Sequence, residues 1–571
     1  MNQLSIEARR RRLITRAVPL GVIAFVAFVL GAVAGVPGSP EKEAAERFTE
    51  AWSRKDYAAM YRELNEDSRR ATGAKQFIKA YREAAEVATL RTIAAESPGD
   101  PHEGGSLVPV PIQAGTVAFG TVVTELEVPY DGGIAWDPSL VFPGLRGGER
   151  LENRLDLAER APILARDGTP LAEGAAAARE YPIGEAAIDV TGIVGEAPEE
   201  DLATLARQGF PPQAPVGVSG LEQAFNRRLA GRPGGSLLAA GEGSTRILSQ
   251  AEPAAGAPVK TTIDPDLQVA AVAALAGQAG GVAVLDSSRG DVRALAGQAF
   301  SAPQPPGSTF KTITTTAALQ NDLVSQETEF EIVDGVNVGG RFISNANGEF
   351  CGGTLSEAFA ESCNADFAPL GPEIGNDGMV AIAERFGFNS PPTLYNEEIV
   401  AAVEPAESTI PVEIGEDIDL GVSAIGQGEV LATPLQMASV AQTIANGGVR
   451  EPTAVVANRK LRPEAGPVRV MSDKIARELN GLMVGVVTGG TGFAAAIPEA
   501  QVAGKTGTAE LGPRPDSEDE EEPEQIKDAW FIAFAPAPNP RLAVGVMLIE
   551  AEAAGGEVAA PIAAQVLSAG L

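Results

Sequence analysis

Three short groups of residues could do chemistry together. Ser308-Thr309-Phe310-Lys311 sets a hydroxyl and an amine three positions apart. On a helix, residues i and i+3 share a face. A serine at the helix N-terminus also meets outward-pointing N–H groups that favour developing negative charge. Lys311, one turn on, is close enough to take the hydroxyl proton if it can be neutral, and burial or a second nearby cation lowers a lysine pKa in that direction. Ser362-Cys363-Asn364 adds a hydroxyl and an amide. Lys505-Thr506-Gly507-Thr508 adds a cation and hydroxyls on a strand, with a glycine that permits close approach. Each group alone is weak. The three in this order, each in a fitting local context, are specific.

The rest of the composition narrows the chemistry. The chain of 571 residues has one histidine, His102. A Ser-His-Asp triad could use only that residue, and multi-histidine metal sites are excluded. Asp100-Pro101 before it and Glu103-Gly104-Gly105 after it are loop composition, so His102 reads as structural. A serine enzyme here needs Lys, Asp, Glu or Tyr as its base. Two cysteines, Cys351 and Cys363, make neither a disulfide-dense scaffold nor a four-ligand metal site. Cys363 lies inside the second group, but no histidine lies near it to activate a thiol. No metal or cofactor is expected. The formal net charge of −32 argues against a polyanion-binding surface and so against nucleic acid as a partner.

These residues need elements to hold them. Pro305-Pro306-Gly307 precedes a helix pattern over Ser308–Leu319, and a helix-like run leads into Ser362. Strand patterns cover Gly281–Asp286, Val292–Ala296, Val502–Ala509, Ala529–Ala535 and Leu542–Ile549, with helices expected over Asp264–Ala276 and Pro561–Leu567. Residues 259–571 therefore read as one unit, an antiparallel sheet flanked by helices, with Lys505 starting an edge strand. The acidic run Asp516–Glu522 reads as a solvated loop. Upstream, Lys42–Ala88 is helical, broken near Lys55-Asp56, with Phe48, Trp52, Tyr57, Met60 and Tyr61 on one face. Strand texture follows over about 107–130. Asp167-Gly168 marks a hairpin turn. Gly220-Leu221-Glu222 opens a short helix stopped by Gly231.

At the start, Arg9–Arg12 and Arg16 precede the apolar run Ala17–Val36. Its length predicts a transmembrane helix, and the arginines predict a cytoplasmic N-terminus with the remainder exported. Ala32-Val33-Ala34 leaves a cleaved signal peptide as the rival reading. Outside the cytoplasm Cys351 and Cys363 could pair in a disulfide, with two buried free thiols as the alternative.

The three groups, with PPGSTFK at Pro305–Lys311, CGGTLSEAF at Cys351–Phe359, IGQGEVLATPLQMA at Ile425–Ala438 and AGKTGTA at Ala503–Ala509, resemble the penicillin-binding proteins. Thr262–Gln268 and Ala529–Pro536 also look like their counterparts in the transpeptidase domain. Arg160–Ala172 and Gly220-Leu221-Glu222 resemble the pedestal, or dimerisation, domain of class B members, although Ala161-Pro162 replaces the usual Arg-Gly start. Residues 41 to about 130 look like an NTF2-like extension.

The resemblance implies a multidomain α+β fold. Its parts would be a tail and transmembrane anchor over 1–40, an NTF2-like module over 41–135, a pedestal domain over 136–258 and a β-lactamase-like serine transpeptidase domain with a five-stranded antiparallel sheet over 259–571. It implies a D,D-transpeptidase at the cell membrane, single-pass, with an external catalytic domain. Ser308 would attack the carbonyl of a terminal D-alanyl-D-alanine, with Lys311 as base. Ser362 would relay a proton under the influence of Lys505. Asn364 would bond the peptide backbone, and Thr506 and Thr508 would receive the substrate carboxylate, with Gly507 letting the peptide approach. The N–H groups of Ser308 and Thr508 would form the oxyanion hole. Implied partners are peptidoglycan stem peptides on lipid-linked nascent glycan, β-lactams acylating the same serine, the plasma membrane, and membrane proteins of the division or elongation machinery. A D,D-carboxypeptidase, a β-lactamase, and a catalytically silent scaffold or β-lactam sensor remain as alternatives.

Overall fold

A computed structural model of the chain describes residues 39–102, 104, 106–396, 405–513 and 525–571. They form two compact units. The first takes in the described residues up to 156 together with 207–209 and 234–252, and the second takes in 157–206, 210–233 and 253–571.

In the first unit the helices Pro40–Ser53, Tyr57–Arg62, Glu66–Ala71 and Ala74–Val87 pack with the antiparallel strands Leu90–Ala95, Leu107–Thr116 and Thr121–Pro129. Phe48 and Trp52, four positions apart, both turn inward, as does Phe77 with Tyr81. The break expected at Lys55-Asp56 is real. Lys55 takes φ +56°, and Asp56 caps the next helix by accepting a hydrogen bond from Ala59 N. A second sheet in this unit joins Arg150–Asp156, Gly234–Gly241 and Ser244–Ala251. These strands fall in the range that the sequence assigns to the pedestal, but they are held here by contacts such as Asn153 Nδ2 to Val87 O and Ser249 Oγ to Phe119 O.

In the second unit, helix α1 (Pro265–Leu275) leads into strands β1 (Gly280–Asp286) and β2 (Val292–Gly297). A 3-10 turn over Gly307–Phe310 then runs into α2 (Lys311–Gln320). Helices α3 (Leu355–Glu361), α4 (Asn364–Phe367), α5 (Pro434–Ala445) and α6 (Asp473–Gly489) follow. The chain closes with β3 (Ala503–Pro513), β4 (Gln525–Ala535), β5 (Leu542–Leu548) and α7 (Gly555–Gly570). The sheet order is β2-β1-β5-β4-β3, every pair antiparallel, with β3 at the edge. Side chains alternate across it. Trp530, Ile532 and Phe534 of β4 enter one core with Phe310, Met437 and Val440, while Phe531, Ala533 and Ala535 enter another with Leu267, Ala559 and Ile562. Both faces are covered, which is why β4 and β5 read as near-continuous apolar runs. The Asp167-Gly168 hairpin joins Ile163–Leu164 to Pro170–Ala172, also in this unit. Beside it lies a buried ion triad, in which Glu222 accepts from Arg160 Nε at 2.6 Å and from Arg179 Nε at 2.7 Å.

One expectation is corrected. Among the described residues no helix is long and apolar enough to cross a membrane. The longest, Leu370–Phe386 and α6, have 17 residues each and carry charged side chains. At 1.5 Å per residue each would span about 25 Å, short of a hydrocarbon layer of about 30 Å. The run Ala17–Val36 that carried the expectation lies outside the described residues, as does the acidic run Asp516–Glu522. The fold class of the described residues therefore includes no transmembrane helix. The single-pass membrane location and the plasma membrane as a partner, with the membrane proteins reached through it, lose the element they rested on.

Candidate active site

The edge strand β3 and the 3-10 turn meet closely enough that two glycines are required. Gly307 has φ +53°, and a Cβ there would lie 2.6 Å from Thr508 O. A Cβ on Gly507 would lie 2.6 Å from Pro306 O. Backbone against backbone leaves no room for a side chain, so the turn that presents Ser308 rests directly on the Gly507-Thr508 stretch. Ser308 is half-buried at the start of that turn, and Lys311 follows at the head of α2, fully buried. The N–H of Gly307 donates to Gly426 O at 2.9 Å, and Gln427 Nε2 donates to Thr508 O at 3.4 Å, which fixes both sides of the turn.

The second group sits where α3 ends. Ser362 is its C-cap with φ +65° and ψ +38°, a left-handed conformation uncommon outside glycine and asparagine. Its N–H donates to Phe359 O, and the next N–H donates to Ala358 O. Cys363 is joined to Cys351 by a disulfide, tying the loop to the strand Cys351–Thr354. The left-handed turn brings the Ser362 carbonyl to Lys311, whose Nζ donates to Ser362 O at 2.6 Å, to Asn364 Oδ1 at 2.8 Å and to Ser362 Oγ at 3.4 Å. The other end of the Asn364 amide donates to Ser344 O at 2.9 Å.

Lys505 approaches the same hydroxyl from β3. Its Nζ donates to Ser362 Oγ at 2.8 Å and to Thr506 O at 3.2 Å. Each ammonium lies 5.5 Å from the centre of an aromatic ring, Lys311 from Phe367 and Lys505 from Phe359. Burial disfavours their charged forms. It pulls Lys505 down to about 7. Lys311 is driven well below the ordinary lysine value, first by burial and then by the Lys505 charge, with Asp366 opposing. Of the remaining residues expected here, Thr506 is buried and Thr508 half-buried. Thr508 Oγ1 accepts from Gly555 N at 3.3 Å.

Three participants lay outside the expected set. Thr491 Oγ1 lies 2.7 Å from Thr506 Oγ1, and its N–H donates to Ala360 O at 3.1 Å, so it links β3 to α3. Only its setting in Gly489-Gly490-Thr491-Gly492 marks it in the sequence, and that marks a loop. Gln427 carries an amide at the mouth of the turn, and Asp366 is a buried carboxylate two positions after Asn364. His102 belongs to the first unit, whereas these residues belong to the second. The assembled groups are a half-buried hydroxyl on a turn, two buried amines with lowered proton affinity, and a hydroxyl between those amines. That set can deprotonate an alcohol and protonate a leaving amine without imidazole.

The family model for the penicillin-binding protein transpeptidase domain matches residues 280–568, half of the chain. The chain belongs to the penicillin-binding protein transpeptidase family. It is of the class B type with an NTF2-like N-terminal domain: the dimerisation-domain model matches 174–261, and the NTF2-like N-terminal transpeptidase domain model matches 40–149. Among curated relatives, the peptidoglycan D,D-transpeptidase PbpA of Mycobacterium tuberculosis is 37% identical over 298 residues, covering 48% of this chain and 57% of the relative. The Mycolicibacterium smegmatis protein of the same name is 37% identical over 304 residues with the same coverage. The chain thus spans little more than half the length of the curated relatives it matches. Among solved structures, the ceftriaxone acyl-enzyme complex of penicillin-binding protein A from M. tuberculosis is similar with a TM-score of 0.56 and 28% identity, covering 72% of this chain and 98% of that one. A D,D-transpeptidase domain from Eggerthella lenta is similar with a TM-score of 0.56 and 29% identity, at the same coverage.

Proposed function

We propose that this penicillin-binding protein is a serine D,D-transpeptidase that cross-links peptidoglycan stem peptides and is acylated by β-lactams at the same serine. In this reading the catalytic part is residues 259–571, with a pedestal domain over 136–258 and an NTF2-like module over 41–135 preceding it in the chain. The observation that carries the reading is one hydroxyl, Ser362 Oγ, within reach of two buried amines, 2.8 Å from Lys505 Nζ and 3.4 Å from Lys311 Nζ.

In the first half-reaction, Ser308 Oγ bonds to the penultimate D-alanyl carbonyl while Lys311 takes its proton. The N–H groups of Ser308 and Thr508 hold the oxyanion, and such donors contribute roughly 3–4 kcal/mol each. The C–N bond then breaks. The leaving D-alanine amine receives its proton through Ser362, which is replenished from the lysines. Thr506 and Thr508 receive the terminal carboxylate, which Lys505 attracts, and Asn364 bonds the peptide backbone beside Gly507. An amine of a second stem peptide then takes the acyl group and returns the proton to the same relay. M. tuberculosis penicillin-binding protein A has been captured as a ceftriaxone acyl-enzyme, which supports the covalent step.

A fluorescent penicillin will label the full chain covalently, and Ser308→Ala will abolish the label. Labelling that survives the substitution overturns the assignment of Ser308. Rapid turnover to hydrolysed penicillin moves the reading to a β-lactamase.

A further inference from the structure

Asp366 is a charged group for which the reaction above has no role. It sits in α4, two residues past Asn364, and is only 6% exposed. Its Oδ2 is buried without a hydrogen-bond partner. A carboxylate taken out of water with an unsatisfied oxygen costs stability and calls for a reason. Its place in the first turn of a helix supplies little, because α4 has only four residues. Nor does Asp366 form an ion pair within 4.0 Å among the described residues. The charge its neighbours touch is Lys311, whose Nζ donates to Asn364 Oδ1 at 2.8 Å, two residues before Asp366, and lies 5.5 Å from the ring centre of Phe367, the next residue.

We propose that Asp366 is a positioning residue for acylation: its buried carboxylate sets, through space, how readily Lys311 gives up its proton and becomes the base for Ser308. The proposal rests on the transpeptidase reading of the site. Two charges bear on Lys311 from the elements packed against it. Lys505 on β3 favours the neutral amine and Asp366 on α4 favours the ammonium. Ser362 and Asn364 supply neutral acceptors to the same nitrogen. An effect through space on Lys311 requires that Asp366 be ionised. Burial raises its own pKa to about 6, against the pull of Lys311. Above that pH the carboxylate is ionised and favours the ammonium form of Lys311, which restrains acylation. Below it Asp366 is neutral and the restraint is gone.

The test is the rate of acylation by a chromogenic or fluorescent β-lactam, measured with the full chain from pH 5 to 9. Asp366→Asn, close in shape and always neutral, is expected to acylate several-fold to about tenfold faster than wild type near neutral pH, one pH unit of lysine shift being tenfold in neutral amine. Its profile should rejoin the wild type below about pH 6 and at the alkaline plateau. Asp366→Glu, which keeps the charge, should restore the wild-type profile. If Asp366→Asn does not fold, Asp366→Thr carries the same expectation. A neutral variant whose rate is changed by one constant factor at every pH, or not at all, overturns the proposal. Wild type that is never acylated at Ser308 overturns the underlying reading instead.

Discussion

Thr491 offers the sharpest test of how the site is braced. Its hydroxyl lies 2.7 Å from that of Thr506, the residue assigned to the substrate carboxylate, and it also reaches Ala360 O at 3.3 Å. Thr491→Val keeps the shape and the backbone N–H bond to Ala360 O but removes the oxygen. A neutral hydroxyl bond contributes a net 0.5–1.5 kcal/mol, so losing it should cost about 1 kcal/mol. If Thr506 must point its hydroxyl at the incoming carboxylate, that cost appears in the acylation barrier as a rate loss of roughly fivefold.

The assay is the second-order rate of labelling by a fluorescent penicillin, measured for wild type, Thr491→Val, Thr506→Val and the double variant. The cycle isolates the pair. With Thr506 already changed, Thr491→Val should do almost nothing further, leaving a coupling of about 1 kcal/mol. A Thr491→Val rate within about 1.5-fold of wild type would refute the bracing role. Full additivity across the cycle, at about 0.3 kcal/mol or less of coupling, would refute it as well.

Other consequences are equally direct. Glu222→Ala leaves Arg160 and Arg179, whose side chains are 1% and 3% exposed, without their carboxylate, so denaturant unfolding of the second unit should lose about 3–5 kcal/mol. A loss below about 1 kcal/mol would show the triad to be structurally idle. Gly507→Ala puts a Cβ 2.6 Å from Pro306 O, both atoms on stiff segments. Displacing the Ser308 turn by about an ångström should slow acylation roughly 100-fold, and a near-wild-type rate contradicts the close packing. Folding should also respond to alkali. The folded Lys505 titrates near 7, below an unfolded lysine at about 10.4, so the unfolded chain binds the extra proton between these values. Stability should therefore rise with pH from about 7 to about 10, and Lys311, shifted in the same direction, adds to the trend. Lys505→Met should flatten that rise in thermal melts taken across the range, and an unchanged slope would contradict the burial cost assigned to Lys505.

What could be read from the chain was what local sequence determines. The strand limits fell within a few residues because β4 and β5 are buried on both faces and show it as unbroken apolar runs. The grouping of Ser308, Lys311, Ser362, Asn364, Lys505 and Thr506 came from three motifs in order and from the family resemblance, since each motif alone is weak. Thr491 was not legible, because its partners Ala360 and Thr506 lie 131 and 15 positions away and nothing in a glycine-rich loop encodes a hydroxyl pair. Asp366 carried no signal in the sequence, and only its burial in the fold sets it apart from other acids. The strands Arg150–Asp156, Gly234–Gly241 and Ser244–Ala251 were hidden for a similar reason. They join the first unit by pairing across some 80 residues, which no local pattern reports. Before residue 39 the apolar run predicted a span by length alone, and length alone does not place it in the described fold.

The arrangement of acceptors explains how one lysine can serve as base without the site rearranging. An ammonium has three donors, and Lys311 has three acceptors: Ser362 O at 2.6 Å, Asn364 Oδ1 at 2.8 Å and Ser362 Oγ at 3.4 Å. The neutral amine keeps two donors. They satisfy the two short contacts, and the contact given up is the longest. Ser362 Oγ is not orphaned by that loss, because Lys505 holds it at 2.8 Å. Nζ therefore stays in place in both protonation states, and the lone pair of the neutral amine faces Ser362 Oγ, the relay hydroxyl of the proposed reaction. A site whose dipoles need not reorganise during proton transfer is one that lowers the barrier electrostatically. The left-handed backbone at Ser362 is what makes this geometry, since it aims the carbonyl and the hydroxyl of one residue at the same nitrogen. Its disulfide-linked neighbour and the Phe359 carbonyl hold it there against a conformational cost of about 1–3 kcal/mol.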